Sequence, residues 1–263
     1  MTTTELLDIA SRIAVAAGEL AARRRIEGVQ IAASKSSPED IVTLADRETE
    51  ALIRSMLADA RPNDGFIGEE TGADAGSSGL TWIVDPIDGT VNYLYNAPHW
   101  AVSIAVVEGN PDPLTWTALA GAVINPVIGE LFTATRGGGA FLGTQRLLVA
   151  EAELSLALVA TGFSYAAEVR SEQAAVVARL IGQVRDIRRT GTASLDLCAV
   201  AAGRVNAFYE SGLKPWDHAA GALIAQEAGA QVLGFHGAHA SAEFLLAASP
   251  LLAAELEQIF QNH

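Results

Sequence analysis

A chain of 263 residues that is half hydrophobic has ample material for a core, as one large domain or two small ones. A formal net charge of -14, with no Lys/Arg-rich run, sets nucleic acid aside as the main partner. The single cysteine, Cys198 in the apolar run 195–202, excludes an internal disulfide and any cysteine-built metal cluster, and fits a reducing compartment. With no leader pattern and no run long enough to span a membrane, the expectation is a cytoplasmic protein that does not engage the membrane.

Residues 5–25 carry Leu6, Ile9, Ile13, Ala16 and Leu20 at helical spacing and close on Arg23, Arg24 and Arg25, where cations suit the helix dipole. That predicts an amphipathic opening helix. After a polar loop at 34–40, Ile41, Val42 and Thr43 lead into a second helical pattern through Ile53, Met56 and Leu57. Asp46 stands near its start, where an acid is favoured. Phe66 and Ile67 read as a short strand running into Gly68-Glu69-Glu70, and 71–79 as a loop.

Residues 82–84 read as a buried strand that empties into a charged turn, Asp85-Pro86-Ile87-Asp88-Gly89-Thr90. Pro86 stiffens that turn, so the two carboxylates can converge, and Gly89 permits a close ligand approach. Acids this close repel unless a cation sits between them, and hard divalent cations such as Mg²⁺ prefer oxygen ligands. The same residues are also ordinary turn formers.

Strand candidates follow at 101–107, 119–124 and 129–135, and 140–142 with 145–149 bracket a Gly143-Thr144 hairpin. Strands joined by short turns imply an antiparallel sheet. Gly137-Gly138-Gly139 lacks the lysine and the strand-to-helix context of a phosphate loop and reads as a turn. The second half alternates: strands at 156–162, 184–188, 205–209, 231–233 and 244–247, and helices at 166–181, 194–202, 216–228 and 250–260. That alternation signals an α/β layer. Residues 1–150 and 151–263 are expected to be subdomains sharing one cleft.

Trp216-Asp217 sets an acid at a helix start, seven residues after Glu210 at the end of an apolar strand, so both can lie at one mouth of the sheet. Arg188 and Arg189 either reach a substrate phosphate or flank their strand. The histidines show no ligand spacing, and His218 would point away from Asp217 on the helix.

Gly68-Glu69-Glu70, then Asp85-Pro86-Ile87-Asp88-Gly89-Thr90, then Trp216-Asp217, in that order across nearly the whole chain, resemble the inositol monophosphatase family of Mg²⁺-dependent, Li⁺-sensitive phosphatases. The resemblance implies a layered αβαβα sandwich of the sugar phosphatase type: α+β with an antiparallel sheet in the N-terminal half, α/β in the C-terminal half. It implies two or three Mg²⁺ ions and a homodimer. It selects Glu69, Asp85, the Ile87 carbonyl, Asp88 and Asp217 as metal ligands, with Asp85 bridging two ions.

In the same pattern Thr90, hydrogen-bonded to Asp46, orients the attacking water, and Asp46, Thr90 and Glu69 form the catalytic set. The backbone amides of Gly89 and Thr90 hold phosphate oxygens. Asp88, Gly191, Thr192, Ala193 and Glu210 match substrate contacts, and Lys35 matches a loop lysine. Glu210 suits a polyol and favours myo-inositol 1-phosphate, while related branches handle fructose 1,6-bisphosphate, 3′-phosphoadenosine phosphates or histidinol phosphate. The fold also admits a partner-binding regulatory protein, against which stands the presence of every expected ligand.

Overall fold

The structure, a computed structural model, describes residues 2–34 and 41–261. Helix α1 (Thr3–Glu27) opens on a reciprocal cap between Thr2 and Glu5 and buries the stripe Leu6, Ile9, Ile13 and Ala17. A ribbon of β1 (Ile31–Ser34) and β2 (Ile41–Thr43) leads into α2 (Leu44–Ala60). Next come β3 (Gly65–Gly68), β4 (Gly72–Asp74), β5 (Leu80–Asp88), the short helix α3 (Thr90–Leu94), β6 (Ala101–Glu108), β7 (Thr117–Asn125), β8 (Glu130–Thr135), β9 (Gly139–Leu142) and β10 (Gln145–Arg146). These strands, from β3 on, form one sheet in the order β10-β9-β8-β7-β6-β5-β3-β4.

The sheet is antiparallel except where β3 runs parallel to β5. Residues 71–79 are therefore not only a loop: β4 folds back on β3, and the chain then crosses to the other side of β3 to begin β5 in the same direction. All three residues of β4 are exposed, which is why no apolar signal marks it.

The second half supplies β11 (Leu158–Thr161), α4 (Ala167–Leu180), β12 (Asp186–Arg188), α5 (Ala193–Ala201), β13 (Ala207–Glu210), α6 (Pro215–Glu227), β14 (Gln231–Leu233), β15 (Leu245–Ala248) and α7 (Pro250–Gln261). Its sheet runs β12-β11-β13-β15-β14, with β11 parallel to β12 and β13, and β15 antiparallel to both its neighbours. A 3-10 turn at Leu154–Leu156 takes the place of the first strand residue expected there.

Alternating side chains sort the core into layers. Trp82, Val84, Val102, Ile104, Ala120 and Ala122 face α1 and α2. Ile83, Ala105, Val107, Val123 and Phe132, on the opposite face of the same sheet, meet Cys198 of α5 and Ala219, Ala220 and Leu223 of α6. The other side of α5 and α6 packs on Phe208, Leu245 and Ala247 of the smaller sheet. The last face of that sheet, through Val159, Tyr209 and Leu246, is covered by Leu180 of α4 and by Leu252, Leu256 and Phe260 of α7. The order is helix, sheet, helix, sheet, helix: an αβαβα sandwich. Gly121 of β7 lets α6 lie close, since a Cβ there would stand 3.0 Å from Ala220 Cα.

Strand β5 does not stop at Val84 as the apolar run suggests. It continues to Asp88 through an irregularity between Asp85 and Asp88, where the register against β6 shifts. Residues three apart on a regular strand face opposite ways. The bulge restores Asp88 to the side on which Ile83 and Asp85 look, toward α5 and α6, while Ile87 turns into a separate cluster with Tyr93 and Trp100. A bulge also tolerates Pro86, which cannot donate to a ladder.

Candidate active site

The C-terminal end of β5, the turn after β3, the start of α5 and the start of α6 enclose a cleft of about 720 Å³. Glu69, Asp85, Asp88 and Asp217 line it together with Glu210. Each acid is held by its own element. The backbone N–H of Ile87 donates to Asp85 Oδ1 at 3.0 Å. Ser194, at the first turn of α5, donates to Asp88 Oδ2 from both its N–H, 2.8 Å, and its hydroxyl, 2.5 Å. The Lys214 N–H donates to Asp217 Oδ2 at 2.6 Å.

Glu69 sits on a turn fixed from beneath by Glu50 of α2, a fully buried carboxylate that accepts the N–H groups of Glu70 and Thr71, both at 2.8 Å. Gly68 makes room for it, since a Cβ there would come within 2.4 Å of Glu50 Oε2.

Asp46 is 1 % exposed and serves two purposes. Its Oδ2 accepts the Thr43 N–H at 2.8 Å and the Thr43 hydroxyl, closing the cap of α2, while Oδ1 accepts the Thr90 hydroxyl at 3.1 Å. The Thr90 hydroxyl also lies 3.1 Å from the Ile87 carbonyl. Between β5 and α3, Gly89 adopts φ 91° and ψ 42°, in the left-handed region; a Cβ there would be both strained and 2.6 Å from Thr192 Oγ1. Asn92 ties this corner to the second half of the chain by donating to the carbonyls of His99, 2.6 Å, and Thr190, 2.8 Å. Gly191, Thr192 and Ala193 line the far wall.

Electrostatics mark the cleft as a place of crowded, buried negative charge. Burial, followed by the charges of Glu69, Asp88 and Asp217, pushes the Asp85 carboxyl well above the usual carboxylate range. Asp85 and Glu69 stand close enough to share a hydrogen bond. Burial and then the Asp88 charge raise Asp217, against the opposing bond from Lys214. Burial takes Asp88 up to about 6 against the two bonds from Ser194, and Asp46 up to about 7 against those from Thr43. Glu210 is pushed up to about 8 by burial and by the charges of Asp196 and Asp88, with Arg189 opposing.

The donor set is all carboxylate with a backbone carbonyl beside it, which suits a hard divalent cation. Among the described residues, however, no three His, Cys, Asp or Glu side chains are already drawn into a closed cage. The acids share a wall and feel one another, and a cation would complete their convergence.

A model of the inositol monophosphatase family matches residues 2–262. The chain belongs to the inositol monophosphatase family. It is 44% identical over 240 residues to the inositol-1-monophosphatase of Mycobacterium bovis, covering 87% of this chain and 81% of that one. It is 41% identical over 238 residues to the Nus factor SuhB of Escherichia coli K12, covering 89% and 86%. The crystal structure of the extragenic suppressor protein SuhB from Bartonella henselae superposes with a TM-score of 0.89 at 35% identity, over 98% of this chain and 99% of that chain. As a member of this family the chain is a phosphoric monoester hydrolase of the inositol-phosphate phosphatase type, acting on a small phosphorylated substrate. The family is metal-dependent. Among the described residues no helix is long and apolar enough to cross a membrane.

Every site residue expected from this inositol monophosphatase pattern reaches the cleft or its floor except Lys35, which lies outside the described residues. The two arginines separate. Arg188 pairs with Asp186 in solvent, whereas Arg189 lines the cleft. Ser194, Glu50 and Asp196 were not anticipated. Asp196 is buried on α5, accepts the Thr190 hydroxyl at 2.6 Å and is raised to about 7 by burial. Its one sequence signal is an acid inside the apolar segment of α5.

Proposed function

We propose that the chain is a Mg²⁺-dependent phosphomonoesterase whose substrate is a small polyol phosphate, myo-inositol 1-phosphate before others. The observation that carries this reading is the Thr90 hydroxyl on Asp46 Oδ1 at the floor of a cleft walled by four acids. Glu69, Asp85, the Ile87 carbonyl, Asp88 and Asp217 would hold two or three ions, with Asp85 shared between two. Bound there, such ions neutralise phosphate charge and acidify water.

The remaining chemistry falls to the chain. Thr90 Oγ1 accepts a hydrogen bond from the attacking water and passes its own proton toward Asp46 Oδ1, which already accepts the Thr90 hydroxyl at 3.1 Å. The water oxygen forms the new bond to phosphorus as the P–O bond to the alcohol breaks, and the departing oxygen keeps that electron pair and takes a proton from a solvent water. The N–H groups of Gly89 and Thr90, at the mouth of α3, orient phosphate oxygens. Gly191, Thr192 and Ala193 close the opposite side, and Glu210 receives the hydroxyls of the leaving alcohol. Residues 1–150 and 151–263 then work as subdomains that meet at the cleft, in a cytoplasmic homodimer.

The name of the Escherichia coli relative, a Nus factor, supports a second, regulatory role borne by the same fold. Ranking purified protein by kcat/KM on myo-inositol 1-phosphate, fructose 1,6-bisphosphate, a 3′-phosphoadenosine phosphate and histidinol phosphate, with and without a chelator, tests the reading. Turnover of the inositol ester that needs Mg²⁺ and is inhibited by Li⁺ is expected. Turnover indifferent to the chelator would refute the metal assignment.

A further inference from the structure

The catalytic cleft has an apolar wall to which the phosphate chemistry assigns no part. Phe163 and Tyr165, between β11 and α4, and Val169, in the first turn of α4, line the cleft together with the acids. Tyr165 is 40 % exposed and Val169 39 %, and Phe163 is half-buried, so all three present surface that a ligand can cover. Neighbouring apolar side chains left open in a cleft mark ligand contact, where a single exposed one would not.

This wall adjoins Glu210. A Cβ on Gly162 would stand 2.0 Å from Glu210 Oε2, so the carboxylate lies directly on Gly162, and Phe163 is the next residue. Gln173 of α4 donates to the Ser211 carbonyl at 3.5 Å, which ties the helix to the residue after Glu210. The segment is braced by its own bonds as well. The Ser164 N–H donates to Gln173 Oε1 at 2.9 Å and the Ala166 N–H to Ser164 Oγ at 3.1 Å. The Arg170 guanidinium donates to the carbonyls of Ser164, 3.1 Å, and Tyr165, 2.6 Å. A braced backbone lowers the cost of ordering these side chains around a ligand.

A carboxylate beside an apolar, partly aromatic surface selects by shape as well as by polarity. In the chair of a cyclic polyol with mostly equatorial hydroxyls, the oxygens radiate around the rim and C–H bonds cover the two faces. Such a ring can lay a C–H face on the apolar wall while its rim hydroxyls meet Glu210. An open-chain polyol has no fixed C–H face and must lose rotational freedom to make one.

Resting on the reading that phosphate binds among the acids with the alcohol toward Glu210, we propose that Phe163, Tyr165 and Val169 are specificity-determining residues. They seat the C–H face of a cyclic alcohol and so favour cyclic over open-chain polyol phosphates. The test pairs myo-inositol 1-phosphate with sorbitol 6-phosphate, which has as many carbons and free hydroxyls but no ring, and reads the ratio of their kcat/KM values at saturating Mg²⁺. The parent should favour the inositol ester by about tenfold or more, Tyr165→Ala should cut that ratio by about tenfold, and Tyr165→Phe should keep it. Val169→Ser, at a partly exposed helix position, should cut the ratio by a smaller factor and keeps the test informative should Tyr165→Ala fail to fold. A purely structural loss would lower both esters alike and leave the ratio where it was. A parent ratio near one, or a ratio unmoved in both Tyr165→Ala and Val169→Ser, would overturn the proposal alone; turnover of neither ester would overturn the reading beneath it and the proposal with it.

Discussion

Asp46 and Asp217 are each the third residue of a helix, and each turns one carboxylate oxygen back onto the backbone N–H three residues before it, 2.8 Å from Thr43 and 2.6 Å from Lys214. The likeness ends with the residue that receives the bond. Thr43 returns a hydroxyl and accepts the Asp46 N–H at 3.3 Å, so the α2 cap is reciprocal. A lysine side chain has no acceptor and returns nothing, so the α6 cap runs one way. Asp46 is thus pinned from Thr43 and Thr90 together, whereas Asp217 keeps Oδ1 without a hydrogen-bond partner among the described residues. The same local device leaves Asp46 bonded through both carboxylate oxygens and Asp217 through one.

Removing the Asp85 charge, which Glu69, Asp88 and Asp217 feel, should have the largest effect. Asp85→Asn weakens the site around which Glu69, Asp88 and Asp217 gather, so turnover should fall by about 10³-fold or more even at high Mg²⁺, the scale of several kcal/mol of lost charge stabilisation. Steady-state kinetics across a Mg²⁺ series check it; recovery of normal kcat at high Mg²⁺ would show that Asp85 is dispensable.

The acids should also set how the metal-free protein responds to pH. Asp46 and Asp196 sit near 7 in the fold and Glu210 near 8, all above their unfolded values, so the folded state retains protons that the unfolded chain has released. Their contribution is full below about pH 4 and is lost as pH rises through 7 to 8. Buried His218 works oppositely: lowered to about 4, it adds stability above about 6.5 that is lost on acidification. Asp85, Asp88 and Asp217 are raised as well, so the acids outweigh the one histidine, and in chelator Tm at pH 5.5 should exceed Tm at pH 8 by about 5 °C or more. Scanning calorimetry in chelator reads it, and a Tm that rises toward pH 8 would contradict it.

The smallest effect separates the two caps directly. Thr43→Ala should cost about 1–2 kcal/mol and lower kcat by roughly tenfold through a loosened Asp46. Lys214→Ala should stay within about 0.5 kcal/mol of the parent, because only its backbone bonds Asp217. Denaturant unfolding of both variants checks the pair, and equal costs would dissolve the distinction.

Both aspartates were legible as helix-start acids, and that reading is correct; it simply coexists with their place at the cleft. Asp85 and Asp88 were legible as a convergent pair, but for a turn. The bulge that carries them on one face depends on register against β6, which no local pattern encodes. Periodicity located the long helices and the longer apolar strands because burial drives it; it missed β1 and β4, which have little apolar surface to bury, and β2 and α3, which are too short to show a period. Ser194 and Glu50 hold the site over separations of 106 and 20 or more residues, so nothing near Asp88 or Glu69 announces them.

The central claim, that Thr90 on Asp46 handles the proton while Asp217 helps to hold the cation, is tested most directly by calorimetric Mg²⁺ titration beside kcat for Thr90→Ala and Asp217→Asn. Thr90→Ala should keep Mg²⁺ affinity nearly intact while kcat falls by about 10²- to 10⁴-fold. Asp217→Asn should lose Mg²⁺ affinity together with turnover. A Thr90→Ala enzyme with normal kcat, or an Asp217→Asn enzyme with undiminished Mg²⁺ binding, would contradict the account.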